Sequence, residues 1–477
     1  MNINVKKIRR MALLLGLVMM LAVVCASCVN LDNVDEVNPK SALGDDSDVN
    51  IDVSDESIVV PEGATNPPEI SKVVSITPDT IAISGTCAEN AAITVTGGKE
   101  DAHTVANGEY FIIKVDLQSK NDLLKITAQA EGEDPSPELQ LRPVYDATAQ
   151  DRLDGNSVTV GKDSRLYFAG MEADATGENL YTESQLSAIG TVVGQLGYDY
   201  YYQRANGQPV ELIYVLVPNV TTVYPGIMNV TPAEKTIYDQ VLGVLDNSLA
   251  TVVDMREIFR AELENNKEDA EKYGLYRVTD SALTDYGAYL TYKATMDVVA
   301  KRFPEAAPYG TDMFDWSEVN ANGGNLVDYR ELDDEVITEK MWVSKPKFSL
   351  DYGVDDKGST NIKSLQKYVD SVNGDYNFFT DIKSDDKING IAEGWEIETG
   401  RTNLPSAVIY RDYASYSFSN ILAERFQNSL LVEGGDFKVD MNKTKVHKSE
   451  GRNVADYVIV IVSEENFDTA FNSMLQG

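Results

Sequence analysis

The chain has 477 residues, with 76 acidic against 41 basic side chains and a formal net charge of −35. Phosphate backbones are neutralised by Lys and Arg, so this balance excludes a nucleic-acid-binding role and suits a soluble surface protein. The length holds two folded domains plus a tether, while three cysteines and two histidines leave no disulfide framework and no metal cluster.

The first segment is a targeting signal. Lys6, Lys7, Arg9 and Arg10 precede an apolar run over residues 11–24, and Cys25-Ala26-Ser27-Cys28 follows. The arrangement resembles a bacterial lipobox. That resemblance implies a signal peptide over residues 1–28, lipid on Cys28, and a protein anchored on the extracellular face of the cell membrane. An uncleaved membrane anchor is the other reading, but the run is short for a span of about 20 residues. Residues 29–69 carry Asp32, Asp35, Glu36, Asp45, Asp46 and Asp48 among few apolar side chains. Such a tract is an extended, disordered acidic linker.

From residue 70 to 144 the pattern changes to short alternating runs. Strands are expected over 73–76, 80–84, 92–96, 109–115, 124–128 and 139–143, separated by Gly85, Gly97-Gly98, Gly108 and Gly132. Six or seven strands at this spacing predict a small all-β sandwich. The stretch 83–95, followed by Asn107-Gly-Glu-Tyr-Phe111, resembles a bacterial Ig-like surface module, which implies a spacer. His103 is expected on a loop, and Cys87 as a small buried apolar residue.

Residues 145–477 alternate strand and helix. Leu166-Tyr-Phe168 follows Gly161-Lys-Asp-Ser-Arg165. Thr182 with Gln185 reads as a capping box. Leu212-Ile-Tyr-Val-Leu-Val217 reads as a strand buried on both faces, with Pro218-Asn219 after it and Tyr224-Pro225 beyond. A helix over 233–249 and a strand over 251–255 lead to Gly274-Leu-Tyr-Arg-Val-Thr-Asp-Ser-Ala-Leu-Thr-Asp-Tyr-Gly-Ala288, where Thr284 or Asp285 caps a helix. Residues 305–402 are an acidic insertion, expected to decorate one face. Within it Asp385-x-Lys387-x-Asn389 spaces like a calcium loop, but Lys387 opposes the metal's charge. Arg411-Asp412-Tyr413 ends a later strand, and residues 455–462 form the last one, with Glu464-Glu-Asn-Phe467 beyond.

These motifs resemble the DHHW-type branch of the SGNH hydrolase-like proteins, which includes the alginate O-acetyltransferases. Tyr276, Thr279, Asp280, Gly287 and Ala288 match its Tyr-x-x-Thr-Asp-x-His-Trp-x-x-x-Gly-Ala stretch. Asn219, Tyr224 and Pro225 match another. The resemblance implies a three-layer α/β domain with a mainly parallel sheet, and acyl-transfer chemistry from Ser, His and Asp. It also shows what is missing. Ala282 stands at the family's His, Tyr413 at its nucleophilic Ser, and Glu465 at an Arg of the closing motif. Neither His103 nor His447 lies on a family motif. The catalytic positions Asp280, Ala282 and Tyr413 therefore make a degenerate set. Asn219, Asp280, Asp412 and Tyr413 remain as binding candidates, with no cofactor and no metal. The partners expected are a surface glycan or a cell-envelope protein, the membrane through the lipid, and no nucleic acid. The alternative is an active O-acyl esterase or O-acetyltransferase on a cell-surface polysaccharide, using a shifted serine such as Ser415 or Ser417.

Overall fold

The computed structural model describes residues 58–77, 79–119, 122–143, 158–228, 230–329, 337–347, 351–355, 361–364, 394–399, 401–412, 419–433 and 454–475. The chain divides into the units Met1–Asn50 and Ile51–Gly477, and every described residue belongs to the second. Cys28, the tract over 29–57, the calcium-like spacing over 385–393, Tyr413, Ser415, Ser417 and His447 lie outside the described residues.

Residues 69–141 form two antiparallel sheets. One contains Glu69–Thr77, Thr80–Thr86 and Tyr110–Asp116. The other runs in the order Ala102–Val105, Ala92–Thr96, Leu124–Gln129, Leu139–Leu141. Leu124–Gln129 alternates fully and partly buried residues, as a strand with one face on a core does. Ala102–Val105 is a strand the apolar pattern does not mark, since Ala-His-Thr-Val has no run of its own; it forms by edge pairing with Ala92–Thr96. His103 therefore sits on an edge strand rather than a loop, exposed, with Nδ1 3.1 Å from Thr94 Oγ1. Cys87 is a half-buried free thiol, pushed up to about 11 by burial and then by Glu109.

Residues 158–475 are built on an eight-stranded sheet. Its order is Thr251–Asp254, Glu211–Val217, Tyr457–Ser463, Ser406–Arg411, Asn428–Glu433, Gly394–Glu398, Asp351–Asp355, Asn361–Ser364. The first five strands are parallel, and the last three add on antiparallel. Strand periodicity sorts the core into two layers. Leu212, Tyr214 and Leu216 face one way, onto Ile189, Val193 and Leu196 of helix Glu183–Tyr202 and Val241 of helix Ile237–Asp246. Ile213, Val215 and Val217 face the other, toward Phe259 of helix Met255–Asn265 and Tyr289 and Met296 of helix Asp285–Ala300. Tyr457–Ser463, buried along its whole length, is continuously apolar up to its terminal Ser463 for the same reason. Among the described residues no helix is long and apolar enough to cross a membrane.

The local signals place the helix starts. Thr182 and Gln185 form the expected capping box, and Thr284 caps the next site helix by accepting from Gly287 N at 3.1 Å. The strand expected to reach Met255 ends at Asp254, whose carboxylate accepts from Arg256 N at 2.9 Å and starts a helix instead. Gly287 is required by a close approach: a Cβ there would lie 2.2 Å from Leu275 O. Residues 305–402, expected as a decoration of one face, supply the sheet's antiparallel strands in their described part. They also supply a hairpin of Phe314–Asn322 and Thr338–Pro346, tied to the helix start where Asp285 Oδ2 accepts from Ser344 N at 2.6 Å.

The two parts of the described unit share a core. Ala82, Tyr110 and Ile112 of the all-β part pack with Val158, Val160, Leu166, Leu326, Val327 and Ile337. Ser164 fastens the junction. Its Oγ accepts from Ile112 N at 3.1 Å and donates to Val105 O at 2.9 Å, and its N donates to Thr104 Oγ1 at 2.9 Å. Asp163 and Ser164 both hold left-handed backbone, φ 57° and 55°. Side chains seldom adopt that conformation, and at Ser164 these three bonds offset its cost.

Candidate functional site

Three central strands end side by side, and the residues after them define the site. Asn219 follows Glu211–Val217, Asp412 follows Ser406–Arg411, and Glu464 follows Tyr457–Ser463. The chain runs outward from the first of these to Thr251–Asp254 and from the second to Asn428–Glu433, on opposite sides. Open α/β sheets form their ligand crevices at such a point, beyond the carboxyl ends of the strands.

Asp280 is 4% exposed and fully engaged. Its Oδ1 accepts from Ala282 N at 2.9 Å, and its Oδ2 from Arg277 Nη1 at 2.9 Å and Asn325 N at 3.1 Å. Arg277 also pairs with Glu339, through Nε at 2.8 Å. Glu339 accepts in turn from Val278 N at 2.7 Å and Thr279 Oγ1 at 3.0 Å. Thr279 Oγ1 accepts from Gly324 N at 2.9 Å. A Cβ on Gly324 would lie 2.4 Å from both Cβ and Oδ2 of Asp280. Gly324, Asn325 and Glu339 thus close over the Thr279-Asp280 turn and convert it into a clasp. Ala282, beside it, is half-buried and brings no titratable group.

Asn219 and Asp412 are also held in place. Asn219 N donates to Glu464 Oε2 at 2.8 Å, and its Nδ2 donates to Asp174 Oδ2 at 3.0 Å. Thr222 Oγ1 adds a second donor to Glu464 Oε2 at 2.8 Å. Asp412 Oδ2 accepts from Ser463 N and Ser463 Oγ, both at 2.5 Å, and from Asn466 Nδ2 at 3.2 Å. It joins the ends of two adjacent strands.

Sequence reasoning missed Asp174 and treated Glu464 and Glu465 only as motif letters. With Asn179, Asn466 and Asp468 they line a cleft of about 310 Å³ between helix Ala169–Thr176 and the turn after Tyr457–Ser463. Burial pushes Glu464 up to about 8, against hydrogen bonds from Asn219 and Thr222 that pull it down. Glu465 keeps some exposed surface, yet its Oε2 is shielded. Burial and then the charges of Asp412, Asp280 and Asp174 push it up to about 8. Asp174 is raised to about 6, first by burial and more weakly by Asp468, with Asn179 and Asn219 opposing. Glu465 thus feels both halves of the crevice, the Asp280 side and the Asp412 side. The tyrosine run divides: Tyr200 is core, while Tyr198, Tyr201 and Tyr202 are at least half exposed.

No protein-family model and no curated protein matches the sequence. Solved structures do resemble the fold. PatB1 of Bacillus cereus aligns at 14% identity, over 65% of this chain and 96% of its own, with a TM-score of 0.45. A DHHW family protein from Eubacterium siraeum aligns at 11% identity, over 76% of this chain and 96% of its own, with a TM-score of 0.39. The O-acetyltransferase domain of Pseudomonas putida AlgJ aligns at 14% identity, over 65% of this chain and 91% of its own, with a TM-score of 0.36. These neighbours include the DHHW and O-acetyltransferase types that the motifs of this chain resemble.

Proposed function

We propose that the protein is a surface lipoprotein, anchored through Cys28, whose α/β part is a catalytically degenerate SGNH hydrolase-like domain. It binds or scaffolds a surface glycan or an envelope partner, and residues 70–144 act as an Ig-like support. The observation that carries the reading is the state of Asp280. An acyl-transfer triad uses this acid to orient an imidazole. Here the imidazole position is Ala282, and the acid's oxygens are taken by Arg277, Asn325 N and Ala282 N. A serine hydroxyl without a base stays protonated at neutral pH and is a poor nucleophile. The strand-end crevice is kept, and its polar groups are built into the fold rather than aimed at a scissile bond.

The test uses the full-length protein on acetylated aryl esters and acetylated glycans, beside a glycan array. The expected result is no turnover above the blank, with retention of a defined set of glycans that weakens in Tyr413→Ala. Turnover that disappears in Ser415→Ala or Ser417→Ala would overturn the reading and restore an esterase. Capture of one envelope protein with no glycan bound would leave the scaffold half alone standing.

A further inference from the structure

We propose that Asn206, at the tip of the hairpin formed by Arg204–Ala205 and Gln208–Pro209, is a site of spontaneous covalent modification, where the side-chain amide becomes aspartate or isoaspartate with loss of ammonia. An Asn followed by Gly is the pair most open to this reaction, because no Cβ hinders the attacking backbone nitrogen. Among the described residues the pair occurs at Asn107-Gly108, Asn206-Gly207 and Asn322-Gly323, and the fold treats the three differently. Gly108 is buried, and its N donates to Asn90 Oδ1 at 3.2 Å. Asn322 is held in a strand opposite Thr338, and a Cβ on Gly323 would lie 2.7 Å from Val327 Cγ2. Asn206 and Gly207 are both exposed, and a Cβ on Gly207 would meet open space. Their φ angles of 51° and 82° are those of an Asn-Gly hairpin loop. The ladder beneath them is only the pairs Arg204 with Pro209 and Ala205 with Gln208. So short a ladder opens locally at little cost, and Gly207 N lies outside it.

In the reaction Gly207 N attacks the side-chain carbonyl carbon of Asn206. The new C–N bond closes a succinimide ring, and the amide nitrogen leaves as ammonia with the proton from Gly207 N. Water then opens the ring at either carbonyl. Nothing is oxidised or reduced, and water is the only co-reactant. The place of the hairpin gives the change a consequence. Asn206 Nδ2 donates to Asp456 Oδ1 at 3.4 Å. Asp456 is 1% exposed and ties the starts of three central strands together. Its Oδ2 accepts from Ser406 N at 2.9 Å, its carbonyl accepts from Glu211 N at 3.0 Å, and Tyr457–Ser463 begins directly after it. Its charge is balanced by Arg302, whose Nη2 donates to Oδ1 at 3.1 Å. Conversion of Asn206 replaces a donor to Asp456 by a second carboxylate, which repels it. Water does not reverse the conversion, so it accumulates with the age of the molecule and loosens the amino ends of the sheet.

Incubation of the full-length protein in mildly alkaline buffer, followed by peptide mapping and isoaspartate detection, tests this. In the folded protein Asn206 is expected to convert at least about tenfold faster than Asn107 and Asn322, the difference between a freely opening loop and a held one. In urea the three rates should converge. Two variants test the link to Asp456: Asn206→Asp presets the charge, and Asn206→Ser removes the same donor without adding charge. The thermal midpoint of Asn206→Asp is expected about 1–3 °C below that of Asn206→Ser. Conversion of Asn107 or Asn322 as fast as Asn206 in the folded protein, or conversion of Asn206 in urea alone, overturns the site. Equal midpoints for the two variants overturn its coupling to the sheet through Asp456.

Discussion

Arg277 holds two buried carboxylates at once, Asp280 and Glu339, and is itself only 10% exposed at the side chain. Removing one member of a buried ionic set leaves the others without compensation. Arg277→Met is therefore expected to cost about 3–5 kcal/mol in urea unfolding. Gly324→Ala attacks the same clasp sterically and should cost about 1–3 kcal/mol, because its Cβ meets Asp280. The Glu464 carboxyl gives a pH signature. Unfolded, it loses its proton near 4.5; folded, it keeps it to about 8. Between those values the folded state binds more protons. The Glu464 contribution is therefore fully present below about pH 4.5 and is lost as pH rises toward 8. The thermal midpoint should fall from pH 5 to pH 8, and Glu464→Gln should flatten that fall. General repulsion from the net charge acts in the same direction but is unaffected by this one variant. If the slope is unchanged, the Glu464 carboxyl is not buried as described.

At the scale of elements, what was legible depended on periodicity and contiguity. The central strands could be read because burial on both faces leaves continuous apolar runs, as in residues 212–217 and 457–462. The helix starts could be read because a capping box is local. Thr182→Ala should destabilise its helix by about 1 kcal/mol, seen as a lower urea midpoint with unchanged slope. Asn219 and Asp280 stand out in the sequence because they lie inside short motifs. Glu339 does not: it lies 60 residues from Thr279, in a Thr-Glu-Lys stretch indistinguishable from a solvated edge. Asp174 meets Asn219 across 45 residues. Pairing between distant polar residues leaves no trace in a hydrophobic pattern. The edge strand with His103 was illegible for a related reason, since its partner supplies the pairing and its own residues supply no signal.

At the scale of the whole molecule, the shared core predicts how the described unit unfolds. Calorimetry of the full chain should show one main transition for the all-β and α/β parts together, with calorimetric and van't Hoff enthalpies in agreement. Ser164→Ala leaves Ile112 N and Val105 O without their partner at a buried junction. It should cost about 1–3 kcal/mol and lower that single transition rather than split it. Two separated transitions would mean that the parts fold independently.

The left-handed Ser164 also makes one part of the chain a condition for the other. A glycine would accept such a backbone with no help. A serine there is tolerable only once Thr104, Val105 and Ile112 stand ready to receive it. Without residues 70–144 the chain would be left with a strained turn and a bared apolar face at Val160, Leu166 and Ile337.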